Sequence, residues 1–166
     1  MADANDTINT LARELVEELT QAGLSVATAE SCTGGWVAKV ITDTAGSSQW
    51  FDRGFVTYSN QAKQDMLGVP VATLNDEGAV SEATVSAMVQ GVLANSQADV
   101  ALAVSGIAGP GGERPGKPVG TVCFAWQAGG GCPRLQTCHF SGDRNSVRQQ
   151  SVMHALRVLL DVLGSR

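Results

Sequence analysis

The run of residues 99–104, Asp-Val-Ala-Leu-Ala-Val, is the feature of this chain that most constrains its fold. After one carboxylate the run is entirely apolar, and a glycine-rich segment begins soon after it at Gly106. A short apolar run that is bounded by turn residues is typical of a strand covered on both faces. We therefore predict a central β-strand here, with helices packed against both sides of its sheet.

Helical and strand patterns alternate on the N-terminal side of this strand. Apolar residues at helical spacing extend from Ile8 to Leu19, with Asn5, Asp6 or Thr7 as the N-cap and Gly23 as the end. The patterns that follow predict a strand at 25–30, a helix at 36–41, a strand at 54–58, a helix to Leu67 capped by Asn60, and a helix that begins at Ser81 and Glu82.

Two further strands and a long helix follow the central strand. Residues 119–126 and 134–140 read as strands joined across 128–131, which is a hairpin length, and Asp143 caps a helix that extends to about Leu163. The order of these elements predicts an α/β fold of three layers, α/β/α, around a mixed and mostly parallel sheet. We expect residues 1–166 to form a single domain.

Composition excludes several classes of partner. The 166 residues carry a formal net charge of −5, which provides no basic field for a nucleic-acid backbone. No uncharged apolar stretch is long enough to span a membrane, and residues 1–6 lack the basic and apolar regions of a signal peptide. These two absences predict a cytoplasmic location, and the four cysteines, which form no CxxC pair, predict reduced thiols and no metal site.

The segment Glu30-Ser31-Cys32-Thr33-Gly34-Gly35 joins a predicted strand to a predicted helix. At such a junction Ser31 can act as a nucleophile while the free N–H groups of the helix start face a developing oxyanion. The same residues have a purely structural interpretation, in which Ser31 or Thr33 caps the helix and the two glycines allow close packing.

A serine nucleophile needs a base, and the chain offers little histidine. Of the two histidines, His154 lies within a helical pattern, where it reads as a packing or surface residue. Lys63 follows a strand end, and burial there would lower its pKa toward working pH. An ordinary solvated helix lysine is the alternative interpretation.

The glycine-rich segment after the central strand is a candidate phosphate site, because successive N–H groups of such a turn can cradle an anion. Residues 106–120 include six of the 19 glycines, and Arg144 near the start of the last helix could add a bidentate contact. Pro118 stands where the Ser or Thr of a Walker loop would bind Mg²⁺, so we expect no ATP site. A loop without a ligand and an Asp143–Arg144 surface pair are the alternatives.

Four segments together resemble the CinA C-terminal domain family in order and spacing. They are residues 28–35 (TAESCTGG), Tyr58-Ser59 with Lys63, residues 78–81 (GAVS), and residues 106–110 (GIAGP) with 117–121 (KPVGT). The resemblance spans nearly the whole chain and implies an α/β/α fold. It also implies nicotinamide mononucleotide deamidase activity, with no cofactor, in pyridine-nucleotide recycling. About two dozen residues precede the first motif, which is typical of the stand-alone form of the family.

The resemblance also implies residue roles. It implies that Ser31 is the nucleophile, Lys63 the base and Tyr58 a supporting tyrosine. On these roles we expect amides near Thr33 and Gly34 to stabilise the oxyanion. The substrate phosphate would lie on the 106–109 turn, with help from Ser105 and Arg144. Ser105 stands where the family usually has threonine, which keeps the hydroxyl group. The substrate-binding residues expected on this basis are Thr33, Gly34, Gly35, Ser105, Gly106, Ala108, Gly109 and Arg144.

Two alternatives stay open at this point. Cys32 lies at the same helix start as Ser31, and a thiolate there could also hydrolyse an amide. A non-catalytic nucleotide-binding module, or an interaction module related to competence or DNA damage, would bind a ligand without turning it over. For the amidohydrolase that the resemblance implies, we expect a small-molecule nucleotide as partner, no nucleic acid, no membrane, and a homo-oligomer, with a dimer as the first expectation.

Overall fold

The computed structural model describes residues 3–165 and contains five strands and six α-helices within them. Part of the segment 1–6, on which the expectation about a leader rests, lies outside the described residues. In chain order the elements are α1 (Ala4–Ala22), β1 (Val26–Glu30), α2 (Trp36–Thr42), a 3₁₀ turn (Ser47–Gln49), β2 (Phe51–Val56), α3 (Asn60–Leu67), α4 (Val71–Glu77), α5 (Glu82–Ala94), β3 (Val100–Gly106), β4 (Thr121–Ala128), β5 (Arg134–His139) and α6 (Arg144–Gly164).

The strands form one sheet in the order β2-β1-β3-β4-β5. β1 pairs in parallel with both β2 and β3, whereas β4 runs antiparallel to β3 and to β5. Four strands thus share a direction and β4 opposes them, which confirms the mixed, mostly parallel sheet. None of the helices in the described part of the chain is long and apolar enough to cross a membrane.

The central strand β3 is buried on both faces, as predicted. Val100, Leu102 and Val104 belong to a core cluster with residues of α1, α2 and α6, whereas Ala101 and Ala103 belong to a second cluster with residues of α5. Alternate side chains of a strand point to opposite faces, so one apolar run serves both layers. The three-layer α/β/α architecture is therefore confirmed.

Local signals predicted most element boundaries, but three of these predictions were wrong and one helix was missed. The N-cap of α1 is Asp3, not a residue between 5 and 7, and the cap of α3 is Ser59, because its hydroxyl group accepts from the Ala62 N–H. β2 was placed three residues too late at its start, and α4 was not predicted. Gly23, Ser81 and Asp143 occupy the capping positions expected of them.

Candidate active site

The carboxyl ends of the three parallel strands meet at one edge of the sheet. Glu30, the last residue of β1, is in register with Val56 at the end of β2 and with Val104 near the end of β3. The loops that follow these strands carry Ser31, Tyr58 and the 106–109 turn. Such an edge is where ligands bind in parallel α/β sheets, and here it gathers the three main motifs of the sequence.

Ser31 and Lys63 are in direct contact at this edge. The Lys63 Nζ atom lies 3.2 Å from the Ser31 Oγ atom, and it also donates to the Thr57 carbonyl oxygen at 2.8 Å. Lys63 is 1% exposed and Ser31 is 8% exposed. The solvated-lysine interpretation is therefore wrong, and the nucleophile and base predicted from the sequence lie within hydrogen-bonding distance without a bridging residue.

The environment of Lys63 favours its neutral form. Burial lowers the pKa of its amino group below the ordinary lysine value. Among residues 3–165 no carboxylate forms an ion pair with it, since the two ion pairs found there are Lys39–Asp43 and Arg53–Asp52. A buried amine without a counter-charge loses its proton readily, and a neutral amine can accept the proton of a serine hydroxyl group.

Cys32, the alternative nucleophile, faces the core. It is buried with the apolar side chains between the sheet and α1, α2 and α6, and burial raises the pKa of its thiol to about 12. A Cβ atom at Gly106 would lie 3.1 Å from its Sγ atom, so glycine at that position leaves room for the thiol. A thiol that stays protonated is a poor nucleophile, which favours Ser31 over Cys32.

The backbone after Ser31 forms a tight turn that leads into α2. The Gly34 N–H donates to the Ser31 carbonyl oxygen at 3.0 Å, and Gly34 and Gly35 have φ values of 60° and 96°. Left-handed backbone of this kind favours glycine, which explains the pair of glycines in the motif. The amide of Gly34 is thus occupied within the turn, whereas that of Thr33 has no acceptor among the described residues.

Two residues to which the sequence reasoning assigned no role hold this turn in place. The buried Glu30 carboxylate accepts from the N–H groups of Val37 and Ala38 at 2.8 and 3.0 Å, so it caps α2. Arg148 of α6 donates from Nε to the Cys32 carbonyl oxygen at 3.0 Å and from Nη2 to that of Thr33 at 3.3 Å. A sequence signal did exist for Arg148, because it lies four residues after Arg144, on the same helix face.

Arg144 connects Tyr58 to the glycine-rich turn. Its guanidinium group donates to the Gly109 carbonyl oxygen at 2.8 Å and to the Tyr58 hydroxyl oxygen at 3.0 Å. Tyr58 is 60% exposed, and Arg144 is its side-chain hydrogen-bond partner. Ser105 is buried, and its hydroxyl group donates to the Ala79 carbonyl oxygen at 2.7 Å, so it ties β3 to the segment that precedes α5.

Seven of the eight predicted substrate-binding residues line one of two cavities, whereas the buried Ser105 lines neither. Gly106, Ala108, Gly109 and Arg144 line a cleft of about 650 Å³ beside the end of α4. The charged residues Arg114, Lys117, Asp76 and Glu77 line the same cleft. Thr33, Gly34 and Gly35 instead line a separate hollow next to Trp36 and Arg148. The structure therefore brings the phosphate-site candidates together, and it places the turn glycines outside that cleft.

Comparison with known proteins identifies the family of this chain. Residues 8–163 match the family described as CinA C-terminal domain. The chain is 54% identical over 149 residues to the nicotinamide-nucleotide amidohydrolase PncC of Escherichia coli (strain K12), a match that covers 90% of each protein. It is 50% identical over 157 residues to the protein of that name from Pseudomonas putida, covering 95% of this chain and 98% of that protein.

A solved structure of similar sequence has the same fold. The crystal structure of the competence/damage inducible protein CihA from Agrobacterium tumefaciens superimposes with a TM-score of 0.91 at 46% identity, covering 95% of this chain and 96% of that one. Sequence and structure thus match over nearly the same residues, and the chain belongs to the CinA C-terminal domain family.

Proposed function

We propose that this protein hydrolyses the carboxamide of nicotinamide mononucleotide to nicotinate mononucleotide and ammonia in pyridine-nucleotide recycling, with Ser31 as nucleophile and Lys63 as base. The observation that carries the proposal is the 3.2 Å contact between Lys63 Nζ and Ser31 Oγ. The names of the relatives at 50% and 54% identity support the choice of substrate. The free state of the four cysteines supports a cytoplasmic location.

The first half of the reaction forms an acyl-enzyme. Ser31 Oγ attacks the carboxamide carbon and passes its proton to neutral Lys63, and the Thr33 N–H stabilises the resulting oxyanion. Collapse of this intermediate breaks the C–N bond, and Lys63 delivers the proton to the departing nitrogen, which leaves as ammonia. An ester between Ser31 and the nicotinoyl group remains.

The second half consumes one water molecule. The water attacks the ester carbon and gives a proton to Lys63, after which the ester C–O bond breaks and Lys63 returns the proton to Ser31. The product is a carboxylic acid that releases a proton to become the carboxylate, and the enzyme is regenerated, so no oxidant, metal or cofactor enters the balance. In this scheme the phosphate rests in the cleft formed by Gly106, Ala108, Gly109 and Arg144.

The test is ammonia release from nicotinamide mononucleotide by wild type, Ser31→Ala and Lys63→Ala, assayed with a metal chelator and with folding checked by circular dichroism. We expect chelator-resistant activity that falls by at least roughly a thousandfold in both variants. Ser96→Ala and Lys39→Ala are matched controls and keep wild-type rates. Inactive wild type that binds the nucleotide would instead support the binding-module alternative, and full activity in Ser31→Ala would exclude the serine mechanism.

A further inference from the structure

The orientation of one peptide plane decides whether the Thr33 N–H can stabilise an oxyanion. Ser31, Cys32, Thr33 and Gly34 form a β-turn that is closed by the bond from the Gly34 N–H to the Ser31 carbonyl oxygen. The central peptide of such a turn, here the Cys32 C=O with the Thr33 N–H, points in opposite directions in type I and type II turns. A type II turn needs a positive φ at its third residue, here Thr33, and a β-branched side chain disfavours that conformation, so the residues of this turn favour the type I orientation.

Arg148 stabilises this central peptide in the type I orientation. Its Nε atom donates to the Cys32 carbonyl oxygen at 3.0 Å, and a trans peptide directs its C=O and N–H to opposite sides. The Thr33 N–H consequently points away from Arg148. Thr33 has a negative φ, as all described non-glycine residues do, which agrees with the type I orientation.

Arg148 and Lys63 approach the turn from opposite sides of the sheet. Arg148 belongs to α6, which packs with α1 and α2, whereas Lys63 belongs to α3, which packs against α5. An N–H that points away from Arg148 therefore points away from the helix layer that contains α6. Two further contacts fix the Arg148 side chain. It donates a second hydrogen bond to the Thr33 carbonyl oxygen, and its Cζ atom lies 5.5 Å from the centroid of the Trp36 ring.

We propose that Arg148 is a positioning residue that fixes the Thr33 N–H toward the oxyanion formed at Ser31, without touching the substrate. The proposal rests on the proposed function, since it assigns a role within the same serine site. The Arg148 guanidinium group also polarises the peptide that it binds, which strengthens the Thr33 N–H as a donor. Loss of one oxyanion donor costs roughly a hundredfold to a thousandfold in kcat, and loss of its orientation costs up to that amount.

The first measurement does not depend on the natural substrate. When a fluorophosphonate reacts with an activated serine, the serine oxygen attacks phosphorus and fluoride leaves. Negative charge develops on the phosphonyl oxygen, which needs the same kind of donor as an oxyanion, so the rate of attachment to Ser31 reports the donor. We expect this rate to fall by at least roughly tenfold in Arg148→Met. The fall should be smaller in Arg148→Lys, which keeps the positive charge but cannot make both hydrogen bonds of the planar guanidinium group. Arg157→Met, on the same helix, is the matched control, and thermal unfolding of each variant tests for general damage.

The second measurement separates positioning from binding. In Arg148→Met we expect kcat for nicotinamide mononucleotide to fall, while KM and the pH midpoint of kcat stay at wild-type values. In Arg148→Ala we expect added guanidinium ion to restore part of the rate. Equal rates of phosphonylation in wild type and a folded Arg148→Met would overturn the proposal. Wild type that reacts with the phosphonate at Ser31 but releases no ammonia would overturn the proposed substrate and leave the role of Arg148 intact.

Discussion

The Nζ atom of Lys63 lies 3.2 Å from the Oγ atom of Ser31, although 32 positions separate the two residues in the chain. The Thr57 carbonyl oxygen accepts a second hydrogen bond from the same amino group, which fixes the direction in which it points. Both side chains are buried. The reactivity of Ser31 is therefore linked to the protonation state of Lys63, and several measurements can test this link.

The rate should rise with pH. Burial lowers the pKa of Lys63, and its ammonium form cannot accept the Ser31 proton, so we expect kcat to be low below that pKa and to level off above it. The midpoint should lie below 10.5, the ordinary lysine value. Steady-state ammonia release across a pH series measures this midpoint. A rate that falls as the pH rises through the same range would contradict a lysine base.

Replacing Lys63 by Met should change how stability depends on pH. A lysine whose pKa is lowered in the folded state destabilises that state. The full destabilisation is present at pH values below the folded-state pKa, and it disappears as the pH rises toward 10.5. The difference in free energy of unfolding, Lys63→Met minus wild type, should therefore decrease as the pH rises. Urea unfolding at several pH values measures it. A difference that is constant or increases with pH would exclude a lowered pKa at Lys63.

Thiol modification should spare activity. Cys132 is exposed, whereas Cys32 is buried and burial raises the pKa of its thiol to about 12. We expect iodoacetamide to alkylate Cys132 at neutral pH while Cys32 stays unmodified and ammonia release continues, because the thiolate is the reactive form. Peptide mass spectrometry locates the label. Loss of activity in step with alkylation of Cys32 would restore the thiol mechanism.

Removing the Arg144 guanidinium group should weaken recognition of the phosphate. For Arg144→Ala we expect KM for nicotinamide mononucleotide to rise by roughly ten- to a hundredfold, since hydrogen bonds to charged groups contribute about 1.5–3 kcal/mol. The KM for nicotinamide riboside, which lacks the phosphate, should change much less. Arg157→Ala serves as the control. Equal changes for both substrates would show that Arg144 acts through Tyr58 or Gly109 instead.

Gly91 should tolerate no side chain. A methyl group there would overlap the Leu67 carbonyl oxygen at the contact between α5 and the end of α3. We expect Gly91→Ala to lower the free energy of unfolding by about 1–3 kcal/mol, because two helices must move apart. Gly130→Ala, where the added atom meets nothing within 4 Å, is the control. Equal stability of the two variants in chemical denaturation would disprove the close contact.

The amino-acid sequence by itself determined the features that depend on neighbouring residues. The apolar run at 99–104 predicted a strand buried on both faces, and Gly23, Ser81 and Asp143 marked helix ends, because capping and alternation act within a few residues. The boundaries of β2 were missed for the opposite reason. Its first residue, Phe51, is in register with Val26 of β1, and such a pairing leaves no local signal.

The tertiary structure alone decided which candidate residues meet. Ser31, Cys32 and Lys63 were all plausible from the pattern, and only packing shows that Lys63 reaches Ser31 while Cys32 faces the core. Arg148 reaches the turn across 116 positions of sequence. Contacts of this kind depend on how helices from two layers pack against one sheet, and the burial that shifts the pKa of Lys63 exists only once those layers are assembled.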